Sequence, residues 1–266
     1  MEAKAISISK PDKGAANEDA AIARGGMIAV ADGAGGGGVY AERWSRYLLE
    51  NLPQKPITDY AMLDGWVDGI WEKFYNKYEK RAKQEGGMFL DKFYDEGSFS
   101  TLAAVWRTDE GCKWSSYGDS VAFCYNKADG TLQHSFTELA DFNKPPYLIN
   151  CKDPLKEEGC RTGIFDTYKG CIIMVASDTL AHYILMMYEA CHQDAYGQEL
   201  ETALNAHSKN SNFIKSALAT KADFYDDVLK PLVKSTASKD RFRKHIDALR
   251  RQELIGFDDY SLAVIK

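Results

Sequence analysis

The chain has 266 residues, 45% of them hydrophobic and 27% charged, with a formal net charge of −6. That is ample for one large core or two small ones, and the excess of acid argues against wholesale binding to nucleic acid or to an anionic membrane. The start, Met-Glu-Ala-Lys, lacks an apolar leader, and no run of about 18 apolar residues occurs. The expectation is a soluble cytoplasmic protein, one domain over residues 1–266. The six cysteines are spread without a C-x-x-C pair, so neither a disulfide framework nor a zinc ribbon is indicated, and free buried thiols are expected.

In chain order, Ala5 to Ser9 alternates with the period of a half-buried strand. Pro11-Asp12-Lys13-Gly14 is a turn. Asn17-Glu18-Asp19 follows, and then Ala20 to Ala23, a short strand. Adjacent acids on a loop are ordinarily solvated surface. Ile28 to Ala31 reads as a buried strand that ends in Asp32. Five of the six residues from Gly33 to Gly38 are glycine, which lets backbone come close to whatever Asp32 holds. Val39 to Leu49 has helical spacing through Tyr40, Trp44, Tyr47 and Leu48. An acid delivered by a strand into a loop poor in side chains suits a hard cation. The tract also fits G-x-G-x-x-G, but a carboxylate before the first glycine would repel a pyrophosphate. No Lys followed by Ser or Thr completes a P-loop.

Met62 to Tyr78 is a predicted helix, with Leu63, Trp66, Ile70, Phe74 and Tyr78 on one face. Lys80 to Asp95, charged and interrupted by Gly86-Gly87, reads as an exposed connection. Short strands joined by tight turns follow: 97–106, Trp114 to Tyr117 and Val121 to Tyr125. A hairpin signal, Asp129-Gly130, lies between Tyr125 and Leu132. This is the pattern of antiparallel sheet. Cys171 to Ala176 is another buried strand running into Ser177-Asp178 and a helix, Leu180 to Cys191. Leu200 to Leu249 is mostly helical. Tyr260 to Ile265 is the last strand, entered through Asp258-Asp259.

Asp32, Asp119, Asp178 and Asp258 thus sit at strand ends or in strand-flanking turns, joined by Glu18 and Asp19 on a loop. Oxygen ligands recurring at strand mouths suggest sites for Mg²⁺ or Mn²⁺. Without a metal such clustering would be strongly repulsive.

Six segments occur in a telling order: Asn17-Glu18-Asp19-Ala20, Val30-Ala31-Asp32-Gly33-Ala34-Gly35-Gly36, Ser100-Thr101-Leu102, Gly118-Asp119-Ser120, Ala176-Ser177-Asp178 and Asp258-Asp259-Tyr260-Ser261-Leu262. In this order the chain resembles the metal-dependent protein phosphatases of the PP2C or PPM type, in their bacterial form. The resemblance implies an α+β fold, a four-layer αββα sandwich of two antiparallel β-sheets flanked by helices, with a metal cleft at one end. It implies removal of phosphate from phosphoserine or phosphothreonine of a protein substrate by a water activated between two Mg²⁺ or Mn²⁺ ions about 3.5–4 Å apart. Asp32 would bridge the ions, Asp178 and Asp258 would complete the first site, and the Gly33 carbonyl with Glu18 and Asp19 would serve the second. Asp119 would pair with Asp178 at a third, weaker site. No covalent phosphoenzyme is needed, so the cysteines have no catalytic part. The five histidines fall outside every motif and read as surface or satisfied core.

Three positions depart from the family pattern. Ala34 stands where eukaryotic relatives have His, so no general acid is supplied there. Thr179 replaces a glycine that permits unusual φ. Gly14 replaces a phosphate-binding Arg, which leaves Lys13 in the same turn as the phosphate ligand and Arg24 as the next candidate. Two other functions fit parts of the sequence: a noncatalytic PP2C-like regulatory or scaffold module, supported by Thr179 and the missing Arg, and a dinucleotide-binding enzyme using the glycine tract. A monomer is expected.

Overall fold

The computed structural model describes residues 2–11, 14, 16–36, 38–167, 170–206 and 208–266. Lys13 and His207 lie outside the described residues, and so does the middle of the predicted turn at 11–14.

The strands, in chain order, are β1 (Ala3–Ile8), β2 (Ala20–Arg24), β3 (Met27–Ala31), β4 (Phe99–Ser100), β5 (Leu102–Thr108), β6 (Gly111–Tyr117), β7 (Val121–Tyr125), β8 (Leu132–His134), β9 (Ile149–Asn150), β10 (Cys160–Phe165), β11 (Ile172–Ala176) and β12 (Tyr260–Ile265). They form one five-stranded sheet in the order β1-β12-β11-β7-β8 and a second in the order β10-β6-β5-β3-β2. A two-stranded pair, β4-β9, lies beside them. Every strand pairing is antiparallel. The helices are α1 (Ala41–Glu50), α2 (Tyr60–Glu85), α3 (Gly87–Asp95), α4 (Asp178–Cys191), α5 (Gln193–Asn205), α6 (Ser211–Ala219), α7 (Lys230–Ser235) and α8 (Lys239–Arg251).

Three cores stack to give four layers. Between the sheets, Ile28, Val30, Val105, Ala122, Val175 and Ala263 meet. The outer face of the second sheet buries Ala29, Ala104 and Trp106 under Trp44, Leu48 and Phe74 of α1 and α2. The outer face of the first sheet buries Phe123, Met174 and Leu262 under Leu180, Ile184 and Phe242 of α4 and α8. This is why β3, β7, β11 and β12 read as continuous apolar runs. Residues alternate between the two faces of a strand, and here both faces are covered.

The stretch at 80–95 differs from its sequence expectation. It is not an exposed connection: α2 runs on to Glu85 and α3 occupies Gly87–Asp95. Gly86 and Gly87 hold positive φ of 68° and 55° and make the break. The charges are helix-surface pairs, Arg81 with Glu85 and Lys83 with Glu79. Phe93 packs inward, fully buried. The helix after the glycine tract begins at Ala41 rather than Val39, because Tyr40 takes a left-handed conformation at φ 59°. Strand β10 gave no periodic signal; two of its residues, Gly163 and Ile164, are exposed.

Candidate active site

The antiparallel register decides where the acids go. Ala31 pairs with Ala20, Leu102 with Tyr117, Ala176 with both Val121 and Leu262, and Ile8 with Tyr260. Each pair lies at the same end of the sandwich. Asp32 follows β3, Asp19 precedes β2, Asp119 precedes β7, Asp178 follows β11 and Asp258 precedes β12. Acids far apart in sequence therefore gather at one mouth.

Asp32 is held through its backbone. Thr101 donates its N–H to the Asp32 carbonyl at 2.8 Å, and Ser100 donates its hydroxyl to the same oxygen at 2.9 Å. The Asp32 N–H reaches Thr101 Oγ1 at 3.3 Å, and Thr101 Oγ1 lies 2.7 Å from Ser120 Oγ, next to Asp119. The run Ser100-Thr101 thus ties the β3 end to the Gly118-Asp119-Ser120 turn. Glycines let the tract close over Glu18. A Cβ on Gly33 would stand 2.6 Å from the Glu18 carbonyl oxygen and 2.8 Å from that of Ala41, and one on Gly35 would collide with the Glu18 carboxylate.

The loop carrying Glu18 and Asp19 is fixed, contrary to the usual behaviour of adjacent surface acids. Asp259, which the sequence reading quotes but gives no role, is buried at the head of β12. Its carboxylate accepts the Lys10 N–H at 2.7 Å and the Glu18 N–H at 2.6 Å. Asn17 donates to Ser7 Oγ at 2.6 Å and accepts the Asp19 N–H at 3.1 Å. Ser45 donates to the Glu18 carbonyl at 2.5 Å. The one legible signal for Asp259 is its adjacency to Asp258; its clamp spans the whole chain length and has no local signature.

Electrostatically the mouth is in conflict. Burial, then the nearby Asp178 carboxylate, push Asp19 up to about 8, against hydrogen bonds from Asp32 and Ser177. Burial and the charges of Asp19, Asp178 and Asp119 hold Asp32 well above the usual carboxylate range. Burial and Asp178 raise Asp119 to about 7, although Arg161 opposes them. Asp258 and Glu18 are raised too, burial first in each case. Among the described residues Asp19 Oδ2, which is buried, has no hydrogen-bond partner. Four or more carboxylates, one with an orphaned oxygen, form a hard donor set of the kind that Mg²⁺ or Mn²⁺ takes. Among the described residues no group of three or more His, Cys, Asp or Glu side chains is yet drawn together closely enough to hold an ion. The donor chemistry fits a divalent metal.

Lys10 is the cation the sequence reading missed. Its ammonium lies 3.6 Å from Glu18 Oε2 and 3.9 Å from Asp258 Oδ1. Burial pulls its pKa down, but Asp259, Asp258 and Glu18 together hold it above the ordinary value. Its placement follows from β1 pairing with β12. Arg24 is otherwise engaged, donating at the C-terminal end of α1 to the carbonyls of Leu49 and Leu52 at 2.8 and 3.2 Å. Arg161, on β10, donates to the Gly118 carbonyl and stacks over Phe136 at 5.0 Å, bracing the Asp119 turn. Thr179 is not among the residues of positive φ and lies in the first turn of α4, donating its N–H to the Asp178 carboxylate. The glycine of the family pattern is therefore not required for backbone strain here. His182 is not satisfied core: its Nε2 is buried and has no hydrogen-bond partner among the described residues.

No protein-family model matches the chain, and no curated protein matches it. Solved structures do. MsPP, a PPM Ser-Thr phosphatase of Mycobacterium smegmatis in complex with cacodylate, is 16% identical, with a TM-score of 0.53 over 100% of this chain and 98% of that one. The catalytic domain of the serine threonine protein phosphatase PstP, in complex with 2 manganese ions, is 17% identical at a TM-score of 0.54, covering 99% and 96%. The serine/threonine phosphatase Stp1 of Staphylococcus aureus is 12% identical at a TM-score of 0.54, covering 100% and 95%. At these identities the likeness is one of architecture, and it spans both chains nearly end to end: this protein has the fold of the bacterial PPM serine/threonine phosphatases.

Proposed function

We propose that this protein is a metal-dependent phosphomonoester hydrolase that removes phosphate from phosphoserine or phosphothreonine of proteins. One observation carries the reading. Asp178 lies close enough to Asp19 and Asp32 to add to the effect of burial and raise the proton affinity of both, and among the described residues no partner reaches the buried Asp19 Oδ2. Burying like charges this way is costly unless cations neutralise them. The fold shared with manganese-bound PstP supports the same conclusion.

In this reading Asp32, Asp178 and Asp258 would hold one Mg²⁺ or Mn²⁺ ion, Asp32 with the Gly33 carbonyl, Glu18 and Asp19 would hold a second, and Asp119 with Asp178 would hold a weaker third. Bound divalent ions supply charge for the phosphoryl oxygens and lower the pKa of a water that attacks phosphorus. The chain's own groups do the rest. Ser100 and Thr101 hold the Asp32 backbone in register, and Asp259 anchors the Glu18 loop. Lys10 brings a positive charge to the mouth and takes the phosphate-binding role the sequence suggested for Lys13. An ammonium offers a point charge without the bidentate fork of arginine, so weak phosphate binding and a high KM follow.

The test is hydrolysis of p-nitrophenyl phosphate and of a phosphoserine peptide with Mn²⁺ and with EDTA. Hydrolysis that needs Mn²⁺ is expected. A second reading, a noncatalytic module of the same fold, is supported by Gly14 where the family pattern has a phosphate-binding Arg. Binding of Mn²⁺ with no hydrolysis of either substrate would decide for that one.

A further inference from the structure

Beside the acids lies a cavity of about 220 Å³. Asp119, Asp178 and Asp258 line it together with Phe142, Phe213 and Phe257. These rings come from three distant segments: the short turn before β9, helix α6 and the residue preceding Asp258. Phe257 is 53% exposed, and the Arg250 guanidinium stacks on it at 4.8 Å. His182, on α4, also lines the cavity. The Phe142 ring meets the imidazole edge-on at 5.3 Å and 87°, and the Phe213 ring lies 6.4 Å from it. Exposed Lys209 and half-buried Asn210 also line it.

We propose that this cavity is a substrate subsite that receives an aromatic side chain flanking the phosphorylated residue, an inference that rests on the phosphatase reading above. Size sets the class of occupant. Pockets for drug-sized ligands span roughly 300–1,000 Å³, so this one takes a single side chain rather than a nucleotide. The lining sets its nature. Phe142, Phe213 and Phe257 offer ring faces and edges to another aromatic ring. A phosphate dianion belongs against the carboxylates that would hold metal and has nothing to gain from three phenyl groups. Lys209 adds attraction for an acidic peptide approaching the mouth.

The experiment uses alanine-rich phosphoserine peptides that differ only in the residue on either side of the phosphoserine: Tyr, Phe or Ala. Both kcat/KM and the dissociation constant, from fluorescence anisotropy with Mn²⁺, are measured on the full chain. At one flank Tyr and Phe should each exceed Ala by about tenfold or more. The gain should lie in KM and Kd rather than in kcat. Phe213→Ala, at a half-buried position, should bring the aromatic-to-Ala ratio to within about twofold. Equal affinities for all three peptides would overturn the subsite, as would an aromatic preference untouched by Phe213→Ala. Tighter binding of the aromatic peptides without turnover of any peptide would keep the subsite and remove the catalytic reading. Turnover of all three at equal kcat/KM would do the reverse.

Discussion

The two ends of the central strands carry buried ionisable groups of opposite consequence. At one end β7 and β11 meet Asp119 and Asp178. At the other, Cys124 and Cys171 lie on the same two strands or next to them, with Cys112 near by in the inter-sheet core. Burial raises the proton affinity of the acids and of the thiols Cys112 and Cys124 alike. A thiol that stays protonated is a small apolar group and costs the fold little. A carboxylate pushed up to about 7 is half ionised near neutral pH, and one pushed up to about 8 is mostly protonated there and ionises at a cost to the fold that a cation would offset. The same burial is neutral packing at one end and charge repulsion at the other.

The sharpest way to break this contrast is Asp32→Asn. It removes an anionic oxygen from the centre of the acid cluster while relieving repulsion there. Metal-dependent phosphatase activity should fall by at least about a hundredfold, on the order of 2.7 kcal/mol, while the metal-free protein melts no earlier than wild type. Activity retained within tenfold would remove Asp32 from the bridging position.

A smaller loss is expected for Asp119→Ala, about tenfold at low Mn²⁺ and partly restored at high Mn²⁺, because this acid is assigned only to the weaker third ion. Titration of rate against Mn²⁺ measures it. An earlier melt with unchanged metal dependence would make Asp119 a turn former instead.

The next effect is on stability. Asp19 and Asp119 bind protons more tightly in the folded chain, at about 8 and about 7, than their ordinary value of 3.8. Between those limits the folded state holds more protons than the unfolded one. Their contribution is therefore fully present below the unfolded value and is lost as pH rises through the folded values. In EDTA the Tm should fall from pH 5 to pH 8, by about 2–4 °C for each kcal/mol lost, and Mn²⁺ or Mg²⁺ should flatten that fall. A metal-free Tm that is level or rising over this range would contradict the assignment of buried, mutually repelling acids.

The thiol end should respond least. Cys124→Ser at a fully buried site is expected to lower stability by roughly 1–3 kcal/mol, through a hydroxyl placed in an apolar core, and to leave kcat/KM within about twofold. A change in metal dependence in this variant would mean that the two ends are coupled along the strands.

Local chemistry made most of the elements readable. Runs such as Ile28 to Ala31 and Val121 to Tyr125 are apolar on both faces because helices and the opposite sheet cover them, and their ends are punctuated by glycine and aspartate. Where the local signal misled, a tertiary contact explains it. The charges between Lys80 and Asp95 suggested a solvated connection, but i,i+4 pairing and the buried Phe93 make them the outer face of two helices. Adjacent Glu18 and Asp19 suggested surface, but Asp259 and Asn17 clamp their backbone into the mouth.

By itself the sequence determined the fold class and the set of acids at strand ends, since strand period, turn chemistry and the order of short motifs are properties of neighbouring residues. Only the tertiary structure decided which groups meet. Antiparallel register brings Asp19, Asp32, Asp119, Asp178 and Asp258 to one end. The clamp of Asp259 on Lys10 and Glu18 joins residues about 240 positions apart. The cavity of Phe142, His182, Phe213 and Phe257 draws on four segments with no common spacing. A contact made across the fold leaves no period in the chain, because what fixes it is the packing of layers and not the conformation of consecutive residues.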